Sequence, residues 1–360
     1  MANKIRVGLL FGGCSSEHEV SLLSTKNVLR AIDPSKYELV LIGIDKEGRW
    51  HVCDPSHYLL QADDPKQIAL GKKVESVSLE TCRTISLGRG PCPVDVIFPM
   101  LHGAYGEDGS IQGLLRVADL PFVGASVLGS AIGMDKEITK RLLKEAGLQV
   151  ANFITVRSHE PFPTYEQVAD KLGSLLFIKP SNGGSSVGVS KVRNREEFER
   201  GLKLAFAYDR KVLIEQAITG REIECAVIGN EELLVSIPGE VFHRCDFYTY
   251  EAKYIDSEGT TCQIPAKLSA EQLSRVQTAA LAAYRALSCE GMARVDMFLT
   301  PSGDAILNEI NTIPGFTYMS PFPRLWEASG MNYTDLVDRL ITLAIDRYQK
   351  DKKLKTHYEP

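Results

Sequence analysis

The chain has 360 residues, 44% of them hydrophobic and 24% charged, with a formal net charge of −5. So mildly acidic a balance gives no electrostatic reason to expect nucleic acid or a membrane surface as partner, and no apolar run reaches the roughly 18 residues of a membrane span. The eight cysteines are scattered, with no CxxC pair and no Cys/His cluster at zinc spacing, and the N-terminus MANKIRVGLLFGG lacks a signal peptide's apolar core and cleavage site. A cytoplasmic protein of two or three domains with reduced, packing cysteines is expected.

Ile5–Phe11 is a short apolar run ending in Gly12-Gly13. Helical spacing follows over Glu19–Ile32, then strand-like Tyr37–Ile44 and Val94–Leu101, a glycine-rich turn and a helical stretch from Gly109. Strands alternating with helices predict a parallel sheet with crossover helices. Pro55–Pro93 has weak periodicity and receives no assignment. Asp135–Glu145 reads as a helix ending at Gly147. Leu175–Lys179, a glycine-rich turn, Val187–Val192, helical Arg195–Tyr208 and Val212–Glu215 form an α+β block. Glu222–Ile228 and Leu233–Val241 alternate as antiparallel strands do. The loop Phe242–Thr261 is long, polar and aromatic, as functional lids are. Leu268–Leu287 is an amphipathic helix, Met292–Leu299 and Ala305–Asn311 make a strand pair, and Tyr333–Tyr348 closes the chain as a helix.

The strand pair carries the most chemistry. Side chains alternate faces along a strand, so Arg294 and Asp296 share one face, and Glu309 and Asn311 share one on the second strand. A turn centred on Ser302-Gly303 sets Asp296 opposite Glu309 and Arg294 opposite Asn311. Two opposed carboxylates repel and call for a cation. Two carboxylates and an amide suit Mg²⁺ completed by phosphate and water; a solvated face with a local Arg–Asp pair is the plainer alternative. Lys179-Pro-Ser-Asn-Gly-Gly-Ser-Ser-Val-Gly188 puts a lysine before a loop dense in backbone N–H groups, as an anion nest requires, although a plain turn would use the same residues. Gly12-Gly13-Cys-Ser-Ser-Glu-His-Glu-Val-Ser21 has the form of strand, turn and helix start, suited to an anion. Equally, Glu17 and Glu19 there could serve only the helix dipole.

Together these segments resemble the D-alanine–D-alanine ligases, a family with the ATP-grasp fold. The resemblance is carried by GGCSSEHEVS at 12–21, LHGAYGEDGSIQG at 101–113, MDKEITK at 134–140, IKPSNGGSSVGVSKV at 178–192, LIEQAITGREIECAV at 213–227, FYTYEAKY at 247–254, GMARVDMF at 291–298 and NEINTIPGFT at 308–317. It implies an α/β (α+β) fold of three domains: an N-terminal parallel-sheet domain at 1–124, a central α+β domain at 125–216, and a C-terminal antiparallel-sheet domain at 217–360 whose lid is 242–261. It also implies ATP-dependent ligation of two D-alanines through a D-alanyl phosphate, with Mg²⁺ or Mn²⁺, in a homodimer.

Residue by residue, the resemblance implies that Glu19 holds the first substrate's ammonium, with Ser185 and Tyr254 as its partners and His102 near the same subsite. Arg294 and the backbone N–H of Gly315 stabilise the oxyanion. Asp296, Glu309 and Asn311 hold the metal. Lys136, Lys179, Ser186 and Lys253 meet ATP phosphates, Glu222 the ribose, and Glu215, Ala217 and Ile218 the adenine. Ser320 binds the second substrate's carboxylate. Two details bear on specificity: Tyr254, rather than phenylalanine, favours a dipeptide over a D-lactate product, and Pro321 stands where leucine, methionine or arginine is expected. Other readings are a D-Ala–D-Ser or D-lactate ligase, an ATP-binding sensor that has lost catalysis, and a nicotinamide-dependent oxidoreductase. The complete set Arg294, Asp296, Glu309 and Asn311 argues against the sensor, and the absence of GxGxxG against the oxidoreductase.

Overall fold

The computed structural model describes residues 4–62, 64–65, 67–80, 84–87, 90–243, 260–355 and 358. The first strand, Ile5–Gly12, runs parallel to Tyr37–Ile44 on one side and Val96–Met100 on the other. Val7, Leu9, Leu10 and Phe11 are fully buried. A strand covered on both faces reads as a continuous apolar run rather than an alternation. Helix His18–Ala31 makes the crossover, and Ser110–Val117 follows the third parallel strand.

The stretch without a sequence assignment extends this sheet by antiparallel pairing. Trp50–Cys53 joins Tyr37–Ile44, and Lys73–Glu80, Thr84–Leu87 and Gly90–Pro93 follow outward. The expected parallel sheet is therefore mixed. Val74 is 47% exposed in this extension, and an apolar residue left in solvent weakens the alternation that marks a strand.

Two helices lie between the first sheet and the next. Val127–Met134 is followed at once by Lys136–Glu145, and Asp135 caps the second helix by accepting from the Ile138 N–H. The central sheet, wholly antiparallel, has the order Phe153–Arg157, Lys211–Gln216, Leu176–Pro180, Ser190–Val192. Helices Tyr165–Leu172 and Arg195–Phe206 cover it and share its separate core. Phe153–Arg157 and Tyr165–Leu172 went unread in the sequence.

The last sheet runs Thr260–Gln263, Gly239–His243, Arg221–Gly229, Gly291–Leu299, Ala305–Asn311, all antiparallel. One face, including Ile223, Cys225, Val295, Met297 and Ile310, packs on helix Ala270–Ala286. That helix opens with a capping box between Ser269 and Gln272, which satisfies two otherwise orphaned N–H groups. Leu142 and Leu143 of helix Lys136–Glu145 belong to the same core.

The first and last sheets are welded by a single apolar core. Phe98 and Met100 meet Ile313, Phe316, Phe322, Trp326 and Leu340 in it. Fully burying a side chain of this size contributes about 1.5–3 kcal/mol, so the two regions are held together along their whole contact. Arg347, buried on the final helix Tyr333–Asp351, donates to the carbonyls of Gly124 and Phe122 at 2.8 Å each and braces the junction.

Candidate active site

Loops at the ends of the three sheets meet at one place, where Ser185 of the central-sheet turn bonds Glu17 and His102 bonds the Ile313 carbonyl, and we refer to this place as the cleft. Its first wall is the turn after Ile5–Gly12. Gly12 has φ +91°, and a Cβ there would lie 2.1 Å from the Ile44 carbonyl oxygen, so only glycine fits the reversal. Ser21, fully buried on the following helix, accepts from the Gly12 N–H and donates to the Met100 carbonyl, tying the helix to both strand ends.

This geometry corrects one sequence expectation. Glu19 lies in the first helical turn, partly exposed, with its carboxylate 2.6 Å from Lys46 Nζ. The acid that meets Ser185 is Glu17, 6% exposed, which accepts from the Ser185 hydroxyl across 168 residues. The two acids thus have different partners, Glu17 the Ser185 hydroxyl from its place at the N-cap and Glu19 the Lys46 ammonium from within the first turn. Glycines clear the space for Glu17: a Cβ on Gly103 would stand 2.7 Å, and one on Gly184 3.3 Å, from its Oε2.

The second wall is the glycine-rich turn of the central sheet. Ser185 and Ser186 both have positive φ, at 53° and 58°, a conformation seldom adopted outside glycine and asparagine and a frequent mark of functional loops. Lys136 opens its helix and donates to the Gly183 carbonyl at 2.5 Å. Burial lowers its pKa, with Glu309 opposing and neighbouring Lys179 adding to the fall.

Below the turn, one carboxylate is shared by two ammonium groups. Glu215 is 2.8 Å from Lys179 Nζ and 3.3 Å from Lys140 Nζ, and all three side chains are buried. Burial would raise the Glu215 pKa, but the two lysines outweigh it and hold the carboxyl below its ordinary value. Burial pushes Lys140 down to about 8, with Glu215 opposing. Lys140 was not singled out from the sequence, although its i, i+4 spacing from Lys136 puts both on one helix face.

The third wall is the polar face of the last sheet. The pairing is the expected one: Asp296 opposite Glu309 and Arg294 opposite Asn311, with a bulge just beyond Asp296. Arg294 forms a fork on Asp296 at 2.7 and 2.6 Å, and Asn311 donates to the same carboxylate at 3.0 Å. Burial would lower the arginine's pKa, but Asp296 and Glu224 hold it well above its usual value. Glu224, 3.3 Å from Arg294 and opposite Asp296 in register, is an acid the sequence reading missed. Its signal was the two-residue spacing from Glu222 along strand Arg221–Gly229, which puts both acids on one face.

The strand pair thus presents Asp296, Glu309 and Asn311 together, and these hard oxygen donors fit a divalent cation shared with phosphate. Among the described residues no cluster of three His, Cys, Asp or Glu is placed to hold a metal.

The remaining predicted residues lie around this cleft. Ala217 and Ile218 follow strand Lys211–Gln216, and the Ala217 N–H donates to the Leu175 carbonyl. Glu222 sits across from Val241 and Phe298. Gly315 lies against Ser320, where a Cβ would come within 2.8 Å of Oγ. Ser320 Oγ accepts from the Thr317 N–H at 3.0 Å, and Pro321 opens helix Pro321–Ala328. Proline suits a helix's first position, where no N–H partner is lost. His102, 4% exposed, is engaged by Ser24 and the Ile313 carbonyl at 3.0 Å each. Lys253 and Tyr254 lie outside the described residues.

Chemically, buried ammonium groups beside paired oxygen ligands can receive a polyphosphate with its cation. A buried carboxylate can receive an ammonium, and an arginine beside a backbone turn can receive developing negative charge. Comparison with known proteins agrees. Residues 6–125 match the family model D-ala D-ala ligase N-terminus, and residues 142–342 match D-ala D-ala ligase C-terminus. A D-alanine–D-alanine ligase of Oceanobacillus iheyensis is 53% identical, covering 98% of each chain. The D-alanine-D-alanine ligase structure from Coxiella burnetii superposes with a TM-score of 0.84 at 37% identity, covering 97% of this chain and 98% of that one. A Bacillus anthracis D-alanine–D-alanine ligase solved in complex with ATP superposes with a TM-score of 0.73 at 29% identity, covering 96% and 99%.

Proposed function

The chain belongs to the D-alanine–D-alanine ligase family, and from that premise we propose how its residues divide the work. It is an ATP-dependent ligase that joins two D-alanines into D-alanyl-D-alanine for peptidoglycan precursors. In such a reaction one D-alanine carboxylate attacks the γ-phosphate of ATP, giving D-alanyl phosphate and ADP. The second D-alanine's amine attacks the acyl carbon, and phosphate leaves from the tetrahedral intermediate. Most of the rate comes from positioning and charge stabilisation.

In our reading Glu17, held by Ser185, receives the first substrate's ammonium. Lys136, Lys179 and the backbone around Ser186 receive ATP phosphates, while Glu222 takes the ribose and Glu215, Ala217 and Ile218 frame the adenine. Arg294 and the Gly315 N–H face the oxygen that gains charge, a role for which fixed donors are worth roughly 100- to 1000-fold each. Ser320 takes the second substrate's carboxylate. Asp296, Glu309 and Asn311 would hold Mg²⁺, or Mn²⁺ in its place, which offsets charge on the phosphates. From the resemblance alone, Lys253 and Tyr254 complete the site on the lid, the domain limits fall near 124 and 216, and the enzyme works as a cytoplasmic homodimer.

The observation that carries this reading is the register of the strand pair, which sets Asp296 against Glu309 with Arg294 on the same face. The test is phosphate release from ATP and Mg²⁺ with D-alanine, against L-alanine, and with D-serine or D-lactate added. Release with D-alanine alone, yielding the dipeptide, is the expected result. Release only with a different second acceptor would move the protein to a D-serine or D-lactate branch, and none at all would favour a sensor.

A further inference from the structure

Helix His18–Ala31 buries three hydroxyl side chains completely, Ser21, Ser24 and Thr25, on the face that meets the sheet. A buried hydroxyl without a partner is costly, so each invites the question of what it bonds. Ser21 closes the glycine turn, as described, and Thr25 donates back to the Ser21 carbonyl. Ser24 reaches much farther along the chain. Its Oγ is 3.0 Å from His102 Nε2 and accepts from the Phe316 N–H at 3.3 Å.

The tautomer follows from the partners. The Ile313 carbonyl, 3.0 Å from His102 Nδ1, can only accept, so Nδ1 carries a proton. In the neutral ring Nε2 then accepts from the Ser24 hydroxyl, whose oxygen is left to accept from Phe316. The bonds form a closed loop: Phe316 N–H to Ser24, Ser24 to His102, His102 to the Ile313 carbonyl. It encloses Pro314 and Gly315. Tyr333 Oη adds a bond of 2.5 Å to the Phe316 carbonyl, and the fully buried Phe316 ring packs edge-on against Phe98.

We propose that Ser24 is a positioning residue that, through His102, clamps the 313–316 loop to the first sheet and so aims the Gly315 N–H into the cleft. The inference rests on the role given above to Gly315. Ser24, His102, Ile313 and Phe316 are all at most 4% exposed, so no water can readily stand in for a missing hydroxyl. Glycine is permissive in φ and ψ, and its amide direction is set by whatever holds its neighbours. A misplacement of about 1 Å in a catalytic group can cost on the order of 100-fold.

The test compares Ser24→Ala and Ser24→Thr with the parent enzyme. Ser24→Ala is expected to lower kcat roughly 10- to 100-fold with the KM for ATP within about twofold, and Ser24→Thr, which keeps the hydroxyl, to recover most of the loss. Nitrogen-15 NMR of the imidazoles reads the clamp without turnover: parent His102 should show protonated Nδ1 with a hydrogen-bonded Nε2, and Ser24→Ala should lose the latter signature. A kcat unchanged in Ser24→Ala at temperatures well below its melting point would overturn the proposal, whatever happens to Tm. So would an imidazole signature indifferent to Ser24. Failure of the parent enzyme to use D-alanine would instead sink the functional reading and leave the NMR result standing on its own.

Discussion

The two sides of the cleft are built on different physics. The side formed by the first and last sheets shares one apolar core, in which Phe98, Phe316, Phe322 and Trp326 are buried together. The side formed by the central sheet has a core of its own and reaches its neighbours through polar groups. Ser185 bonds Glu17, the Lys136 N–H donates to the Ser181 carbonyl, and Lys211 pairs with Asp135 and Glu137 at 2.6 and 2.9 Å. Apolar contact over a large area fixes an orientation, whereas a few polar bonds can be exchanged for substrate or water at little net cost. The metal ligands, Arg294 and the Gly315 loop therefore stand on the rigid side. The phosphate turn and Lys179 stand on the adjustable side, whereas Lys136 and Lys140 lie on a helix that packs into the core of the last sheet.

The largest effect expected from breaking the rigid side is at Glu309. Glu309→Gln should leave the fold intact and lower kcat by more than roughly 100-fold, with a steep requirement for added Mg²⁺. Near-normal turnover at low Mg²⁺ would remove the strand pair from the metal site.

Glu17 tests the seam between the two sides. Glu17→Gln should cost roughly 10- to 100-fold in kcat/KM for D-alanine, the range of a charge-assisted contact to an ammonium. Measured alongside, Glu19→Gln should change it less than about threefold, since its partner Lys46 is exposed. A larger loss in Glu19→Gln than in Glu17→Gln would reverse the assignment.

Also at the seam, Lys140→Met removes one of the two ammonium groups on Glu215. The expected outcome is an ATP KM raised about three- to tenfold, as Lys179 is drawn more tightly to the carboxylate. Lys140 also predicts a pH dependence. Its pKa is lowered to about 8 from an ordinary 10.5, so between those values the unfolded chain binds more protons and stability from this group rises with pH. The Tm of the parent relative to Lys140→Met should accordingly climb from pH 8 towards 10; a flat difference would place the ammonium in contact with water.

Smaller still is the expected effect of Pro321→Ala. Its ring is pre-set for the first helical position, so a fall in Tm of a few degrees with little change in kcat would assign it to the helix. A marked change in KM for the second D-alanine would assign it to the substrate pocket.

What could be read from the chain alone follows its regular geometry. Period-2 alternation and a Ser-Gly turn were enough to set Asp296 against Glu309, because a strand pair propagates its register from the turn. Gly12, the apolar first strand and the amphipathic helix at 270–286 were legible for the same kind of reason, each governed by its neighbours in sequence. The motifs also carried the family, which depends on the order of residues and not on their placement.

Tertiary structure decided what contact across long separations alone can decide. Which of two acids at the helix start enters the cleft depends on Ser185, 168 residues away from Glu17. That Ser24 bonds a loop 292 residues on, and that Lys140 lies buried against Glu215, follow from how three separately formed sheets meet. Local propensity sets each element's own shape, but the faces that pack against one another are chosen by burial in the assembled molecule, and no periodicity in the chain records that choice.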